Sequence, residues 1–175
     1  MQSYNKIMKV SAQEEYGLRC LLQMARCGAD DSLSIPEVSR LEGLSVPNVA
    51  KLMRILRLGG LVRSVRGQSG GYSLARPAEK ITLEQVLHVL GGPLFGPHFC
   101  ERHTGIERAC AHRGECSVRP VWLKLQGLVA SVLSRTTLQD LLREEDDVAE
   151  WIKNFPGETV GGDGREPASR SAAAL

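Results

Sequence analysis

The sequence predicts a mainly α protein with a small β wing: a winged helix-turn-helix domain followed by one long helix. Three observations carry that prediction. Capping boxes open short amphipathic segments in the first half of the chain. The apolar period then changes from helical to alternating around a glycine-rich turn, and a single apolar stripe runs along residues 117–134.

The first helix opens at the capping box Ser11-Ala-Gln-Glu14, and Leu18, Leu21, Leu22 and Ala25 follow at helical spacing. Ser34-Ile-Pro-Glu37 is a second box, with Leu33 and Val38 placed as a hydrophobic staple, and its helix ends near Gly43. Ser45 is expected to cap a third helix with Pro47 in its first turn. That helix buries Val49, Leu52, Met53 and Leu56, turns Pro47, Ala50, Lys51 and Arg54 outward, and stops at Gly59-Gly60. Residues 61–66 and 72–75 alternate like two short strands around Gly67-Gln-Ser-Gly-Gly71. Thr82-Leu-Glu-Gln85 caps a further helix that ends at Gly91-Gly92-Pro93.

Beyond that point the helical period is lost until Ser117, where a long helix begins with Pro120 in its first turn. Trp122, Leu125, Val129 and Val132 form its stripe and Leu128 widens it; a stripe reached by a loop and left uncovered in one chain predicts a homodimer. Thr137-Leu-Gln-Asp140 is expected to cap a last short helix, and the acidic run of residues 140–150 is read as solvated surface. The expected organisation is therefore 1–92 winged helix-turn-helix domain, 93–117 cysteine-bearing loop, 118–155 dimerisation helix with a short C-terminal helix, and 156–175 disordered tail.

The chain of 175 residues fits one medium domain or a small one with an appendage, and 42% hydrophobic residues suffice for a core without disulfides. No apolar run is long enough to span a bilayer, and MQSYNKIMKV lacks the apolar stretch of a signal peptide. A cytoplasmic protein without membrane contact is expected.

The net charge is only +2, but residues 51–80 gather Lys51, Arg54, Arg57, Arg63, Arg66, Arg76 and Lys80 against the single acid Glu79. A helix-turn-helix alone carries little functional information. Joined to this basic patch and to an Arg66-bearing wing, it points to double-stranded DNA; the deep major groove of A-form RNA excludes a reading helix. Contacts from Lys51, Arg57 and Arg63 to phosphates would make affinity fall steeply with salt.

The loop CERHTGIERACAHRGEC, residues 100–116, holds Cys100, Cys110 and Cys116 at C-x9-C-x5-C spacing with almost no apolar residue. Three thiols leave a tetrahedral site one ligand short. The spacing is that of neither a zinc ribbon nor a ferredoxin, and three readings stay open on the residues alone. These are unliganded surface cysteines, zinc completed by His98, His103 or His112, and an iron-sulfur cluster completed by a ligand other than cysteine. Cys20 and Cys27 fall on and at the end of the first helix and are read as packing. His88 is read as structural. No Ser-His-Asp order, phosphate loop, HExxH or CxxC is present, and the adjacent Glu14 and Glu15 face different directions on a helix, so an enzyme is not expected.

The order of these features resembles the Rrf-type bacterial winged-helix iron-sulfur transcription regulators, the IscR-, NsrR- and RirA-like group. The resemblance covers about Met8 to Leu142. It rests on MKVSAQEEYGLRCLL, GLSVPNVAKLMRILRLGGLVRSVRGQSGGYSLARP, ITLEQVLHVLGG and the three cysteines ahead of a long helix. It implies a dimer with crossing long helices, and an iron-sulfur cluster, 2Fe–2S or 4Fe–4S, on Cys100, Cys110 and Cys116. The fourth ligand varies among similar proteins. The histidine that one branch places three residues after the last cysteine is Arg119 here; the acidic ligand that others supply from the first helix of the opposite subunit falls on Glu15. By the same resemblance, Ser45, Asn48, Lys51 and Arg54 form the recognition surface, Arg66 reaches from the wing, and Ala50 stands where one branch carries glutamate.

The function expected is that of a homodimeric transcription regulator on a pseudo-palindromic operator, its affinity controlled by a cluster that reports redox state, nitric oxide or iron status. The alternative is a zinc-stabilised DNA-binding or protein-interaction module without cluster sensing.

Overall fold

The computed structural model describes residues 10–28, 31–67, 70–92 and 116–154. Among them the order is α1 (Ala12–Arg26), α2 (Ile35–Glu42), α3 (Val46–Leu58), β1 (Val62–Val65), β2 (Gly71–Leu74), α4 (Leu83–Gly91), α5 (Val118–Arg135) and α6 (Glu145–Lys153), with 3-10 turns at Ala78–Lys80 and Asp140–Leu142. The mainly α architecture with a two-stranded wing is the one the sequence predicts. No helix among the described residues is long and apolar enough to cross a membrane.

All three complete capping boxes form as the sequence spells them. Ser11 N–H donates to Glu14 Oε2 at 2.7 Å while Glu14 N–H donates to Ser11 Oγ at 3.3 Å, and Ser34 with Glu37 and Thr82 with Gln85 repeat the reciprocal pair. Each box satisfies amides that a helix leaves orphaned in its first turn. Ser45 differs. It takes the N-cap position of α3, yet its hydroxyl makes no cap bond. An N-cap oxygen accepts from the second or third helical amide, and the second residue here is Pro47, which has none.

The helix-turn-helix is closed by backbone geometry. Gly43 ends α2 in the left-handed region at φ 65°, and Leu44 N–H returns to Ser39 O at 3.1 Å. At the other end of α3, Gly60 (φ 69°) donates to Arg57 O at 3.1 Å and Leu61 to Leu56 O at 2.9 Å. This Schellman pattern swings the chain from α3 directly into the wing and brings Leu56 and Leu61 together in the core.

β1 and β2 pair antiparallel, with Arg63 opposite Ser73 and Val65 opposite Gly71. Leu33 adds a bridge on the far edge of β2, exchanging hydrogen bonds with Tyr72 at 3.0 and 2.8 Å. Its backbone passes so close that a Cβ on Gly71 would collide with the Leu33 carbonyl and lie 2.9 Å from Ser34 N. Gly71 therefore serves the approach of the chain's own backbone.

Leu21, Leu52, Met53, Leu56, Leu61, Ile81 and Leu138 are among the fully buried side chains that centre the core. Leu138 comes from beyond α5: Leu83 N–H donates to Thr136 O at 2.8 Å and Leu138 N–H to Ile81 O at 2.9 Å. The C-terminal end of α5 is thus stitched to the start of α4. Along α5 itself no residue is buried, and Val118, Val121, Trp122, Leu123, Leu125, Leu128 and Val132 remain exposed within one chain.

The C-terminal region corrects one expectation. Thr137 and Asp140 bond reciprocally, at 3.0 and 3.3 Å, but they open only the 3-10 turn, where Asp140 also accepts from Arg143 at 3.3 Å. The last helix begins at Glu145, and Glu145, Asp146 and Asp147 form its first turn. Acids there complement the positive end of the helix dipole, which a charge count alone reads as plain surface.

Cys20 is fully buried on α1, and burial, aided by the nearby Glu42 charge against the opposing effect of Arg19, pushes its thiol up from 9.0 to about 11. The unfolded thiol then ionises first. Its contribution to stability is present in full below pH 9 and is lost as pH rises through about 11. Replacing Cys20 by Ala should remove a descent of order 2 kcal/mol between those limits, read by comparing urea unfolding of the two proteins at pH 8 and pH 11. Gly71→Ala should lower the unfolding free energy by about 1–3 kcal/mol, seen as a reduced urea midpoint with an unchanged slope.

Candidate nucleic-acid interface and cysteine loop

α3 presents two faces. Val49, Leu52, Met53 and Leu56 are buried, whereas Ser45, Lys51, Arg54 and Arg57 are exposed and Asn48 is half-buried. At 100° per residue, Pro47, Lys51 and Arg54 cluster opposite the buried stripe, with Ala50 on one flank and Asn48 on the other. The same segment continues through Gly59-Gly60 into the wing, where Arg63 and Arg66 are exposed. Arg63 is held in place: its Nε donates to Ser73 Oγ across the strands at 3.0 Å. Arg66 immediately precedes Gly67, whose φ of 131° turns the chain towards the wing tip. The seven expected DNA contacts thus lie on one continuous stretch of chain, a helix and the hairpin that follows it.

Behind the interface lies a group that sequence reasoning missed. Glu42, at the end of α2, is buried and accepts from Arg19 Nε and from Gln23 Nε2, each at 2.6 Å. Arg19 also donates to the Glu42 carbonyl at 3.2 Å and stands 5.8 Å from the centre of the Tyr16 ring. These bonds pin α1 to the residue before the turn that leads into the recognition helix. An acid at a helix C-terminus opposes the dipole, and that misplacement was the available signal that Glu42 needs a cation.

Glu15 lies exposed in the first turn of α1, while its neighbour Glu14 is buried. The Glu14 carboxylate packs against Gly91, and the Gln13 amide donates to the Leu90 carbonyl. A Cβ on Gly17 would come within 2.6 Å of Leu90 Cδ1. The end of α4, from which the cysteine loop departs, is therefore fastened to the turn of α1 that carries Glu15.

Of the three loop cysteines, only Cys116 falls within the described residues; Cys100 and Cys110 lie outside them, as do His98, His103 and His112. Cys116 is half-buried and precedes Ser117, the N-cap residue of α5. Ser117 supplies no side-chain cap there, and the first turn holds Arg119 and no acid. Cys116 therefore stands beside the N-cap of a helix, with the other two loop cysteines on the chain that leads up to it. Cys27 differs: burial, with the Asp31 and Glu37 charges, raises its thiol above the ordinary value. It and Cys20 are not drawn into any metal-binding group among the described residues.

The geometry has counterparts in known proteins. Residues 10–144 match the family model Rrf2, described as an iron-dependent transcriptional regulator. Protein rrf2 of Nitratidesulfovibrio vulgaris is 32% identical over 137 residues, spanning 78% of this chain and 89% of that protein. The regulator IscR of Cereibacter sphaeroides is 31% identical over 140 residues, spanning 79% and 89%. Among solved structures, CymR, titled the global cysteine regulator of B. subtilis, superposes with a TM-score of 0.65 at 29% identity, covering 78% of this chain and 97% of that one. IscR of T. potens follows at 0.61 and 30% identity, covering 78% and 87%. The Cereibacter sphaeroides relative is named an HTH-type transcriptional regulator. With its helix-turn-helix, basic wing and matched length, the chain belongs to the Rrf2 family of DNA-binding transcription regulators.

Proposed function

We propose that this chain acts in the cytoplasm as a homodimer whose affinity for a pseudo-palindromic operator is set by an iron-sulfur cluster. Cys100, Cys110 and Cys116 would hold the cluster, and Glu15 of the partner subunit would complete it. The observation that carries the reading is the fastening of the end of α4, from which the cysteine loop departs, to α1, the helix that bears Glu15. Glu14 and Gln13 fasten α4 to α1, while Cys116 precedes Ser117, the N-cap residue of α5, whose far end is sewn to Ile81 and Leu83. The exposed stripe on α5 supports the dimer, because a surface of that size and character is normally covered.

When bound, the group supplies iron whose oxidation and ligand exchange respond to oxidants, nitric oxide or iron supply. The rest is done by the chain. Cys116 offers its sulfur from the residue before the N-cap of α5. Arg119, a permanent cation, does not ligate. Glu15 offers a carboxylate on α1, and Arg19 and Gln23 carry any shift of α1 to Glu42 and hence to the recognition turn. A coupling of about 1–3 kcal/mol between the loop and the DNA surface is enough to act as a switch, an affinity change of about 5- to 150-fold.

Fluorescence anisotropy of a labelled operator, with anaerobically loaded and with stripped full-length protein, tests this reading. The wild type should show a difference within that range, and Glu15→Ala should shrink it to about twofold or less while speeding cluster loss. Equal affinities of loaded and stripped wild type would remove cluster control. An unchanged cluster lifetime and coupling in Glu15→Ala would remove the ligand assignment.

A further inference from the structure

The outward ridge of α3 changes character along its length. Pro47, Ala50, Lys51 and Arg54 follow one another at intervals that keep them on one side of the helix, away from Val49, Leu52, Met53 and Leu56. The N-terminal half of this ridge, Pro47 and Ala50, has no side-chain hydrogen-bond donor or acceptor, and Pro47 lacks even a backbone N–H. Val46 extends the apolar surface into the first turn, where 48% of it remains exposed. Only beyond Ala50 do Lys51 and Arg54 bring charge.

In a helix-turn-helix the N-terminal residues of the recognition helix meet the base edges in the major groove. Thymine alone presents a methyl there. The other three bases are distinguished there by their hydrogen-bonding groups, which an apolar side chain placed against them leaves unpaired. Resting on the proposal that this chain binds an operator through α3, we propose that Pro47 and Ala50 read the 5-methyl groups of thymine, so that each half-site carries at least one thymine recognised by its methyl. Lys51 and Arg54 then act further along the groove, on guanine edges or phosphates.

The test uses the full-length protein and an operator selected by it from a pool of random duplexes. Each thymine of a half-site is replaced in turn by deoxyuridine, which deletes the methyl and leaves the Watson–Crick edge intact. Burial of one methyl corresponds to about fourfold in affinity. At one or two thymines per half-site the wild type should lose about that factor. Pro47→Ser and Ala50→Gly, both on the outward ridge and checked for folding by thermal melting, should bind thymine and deoxyuridine duplexes equally at the position each contacts. Tight binding to the selected operator with no thymine sensitive to methyl removal would overturn the proposal while leaving operator binding intact. Methyl sensitivity that persists in both variants would overturn it as well, by placing the reader elsewhere. If selection recovers no preferred sequence, operator recognition itself fails, and the thymine proposal with it.

Discussion

The buried carboxylate of Glu42 is the constraint on which the arrangement of the DNA-binding body turns. Two short bonds, from Arg19 and Gln23, and a third from Arg19 to the Glu42 carbonyl join α1 to the end of α2. Hydrogen bonds to a charged group contribute about 1.5–3 kcal/mol each when they stay intact. Leaving a buried carboxylate unpaired costs more than the pair contributes, so the clamp resists partial disassembly. Because Gly43 and Leu44 follow immediately, the clamp also sets where the recognition helix begins. α1 becomes a lever whose first turn carries Glu15 and whose middle holds the base of the helix-turn-helix.

That lever explains why the remaining elements sit where they do. Gly17 and Gly59 lack side chains where α1 and α3 meet Leu90 and Val89 of α4, which lets α4 lie close to both. The end of α4, from which the cysteine loop departs, is thereby held against α1. α5 is about 27 Å long at 1.5 Å per residue, anchored at one end by Leu138 and free of the core along its length. It holds Cys116 at the end remote from that anchor. An apolar helix in this position suits the partner copy proposed above.

Local signals carried most of the fold. Each complete capping box is a contract between residues three apart, and Ser11, Ser34 and Thr82 honour it because nothing distant competes. Ser45 shows the limit, since Pro47 removes one of the two amides its hydroxyl would reach. The Leu33–Tyr72 bridge, the place of Leu138 in the core and the Glu42 clamp join residues far apart in sequence, and no periodicity announces such pairings. The acidic run from Glu144 was legible as charge but not as a helix start, because charge counts ignore the dipole. For the site, helical periodicity placed Lys51 and Arg54 outward, whereas the ligand roles of Cys100 and Cys110 rest on spacing and resemblance, both residues lying outside those described.

Regulation by a cluster requires that the cysteine loop hold iron and sulfide rather than zinc. Anaerobic visible absorption and Mössbauer spectra of the protein as isolated, with iron, sulfide and zinc counted per chain, test it most directly. A cluster on the three cysteines gives a brown protein containing iron and sulfide, with Mössbauer parameters that distinguish 2Fe–2S from 4Fe–4S. A colourless protein that binds zinc and takes up no iron after anaerobic reconstitution would contradict it.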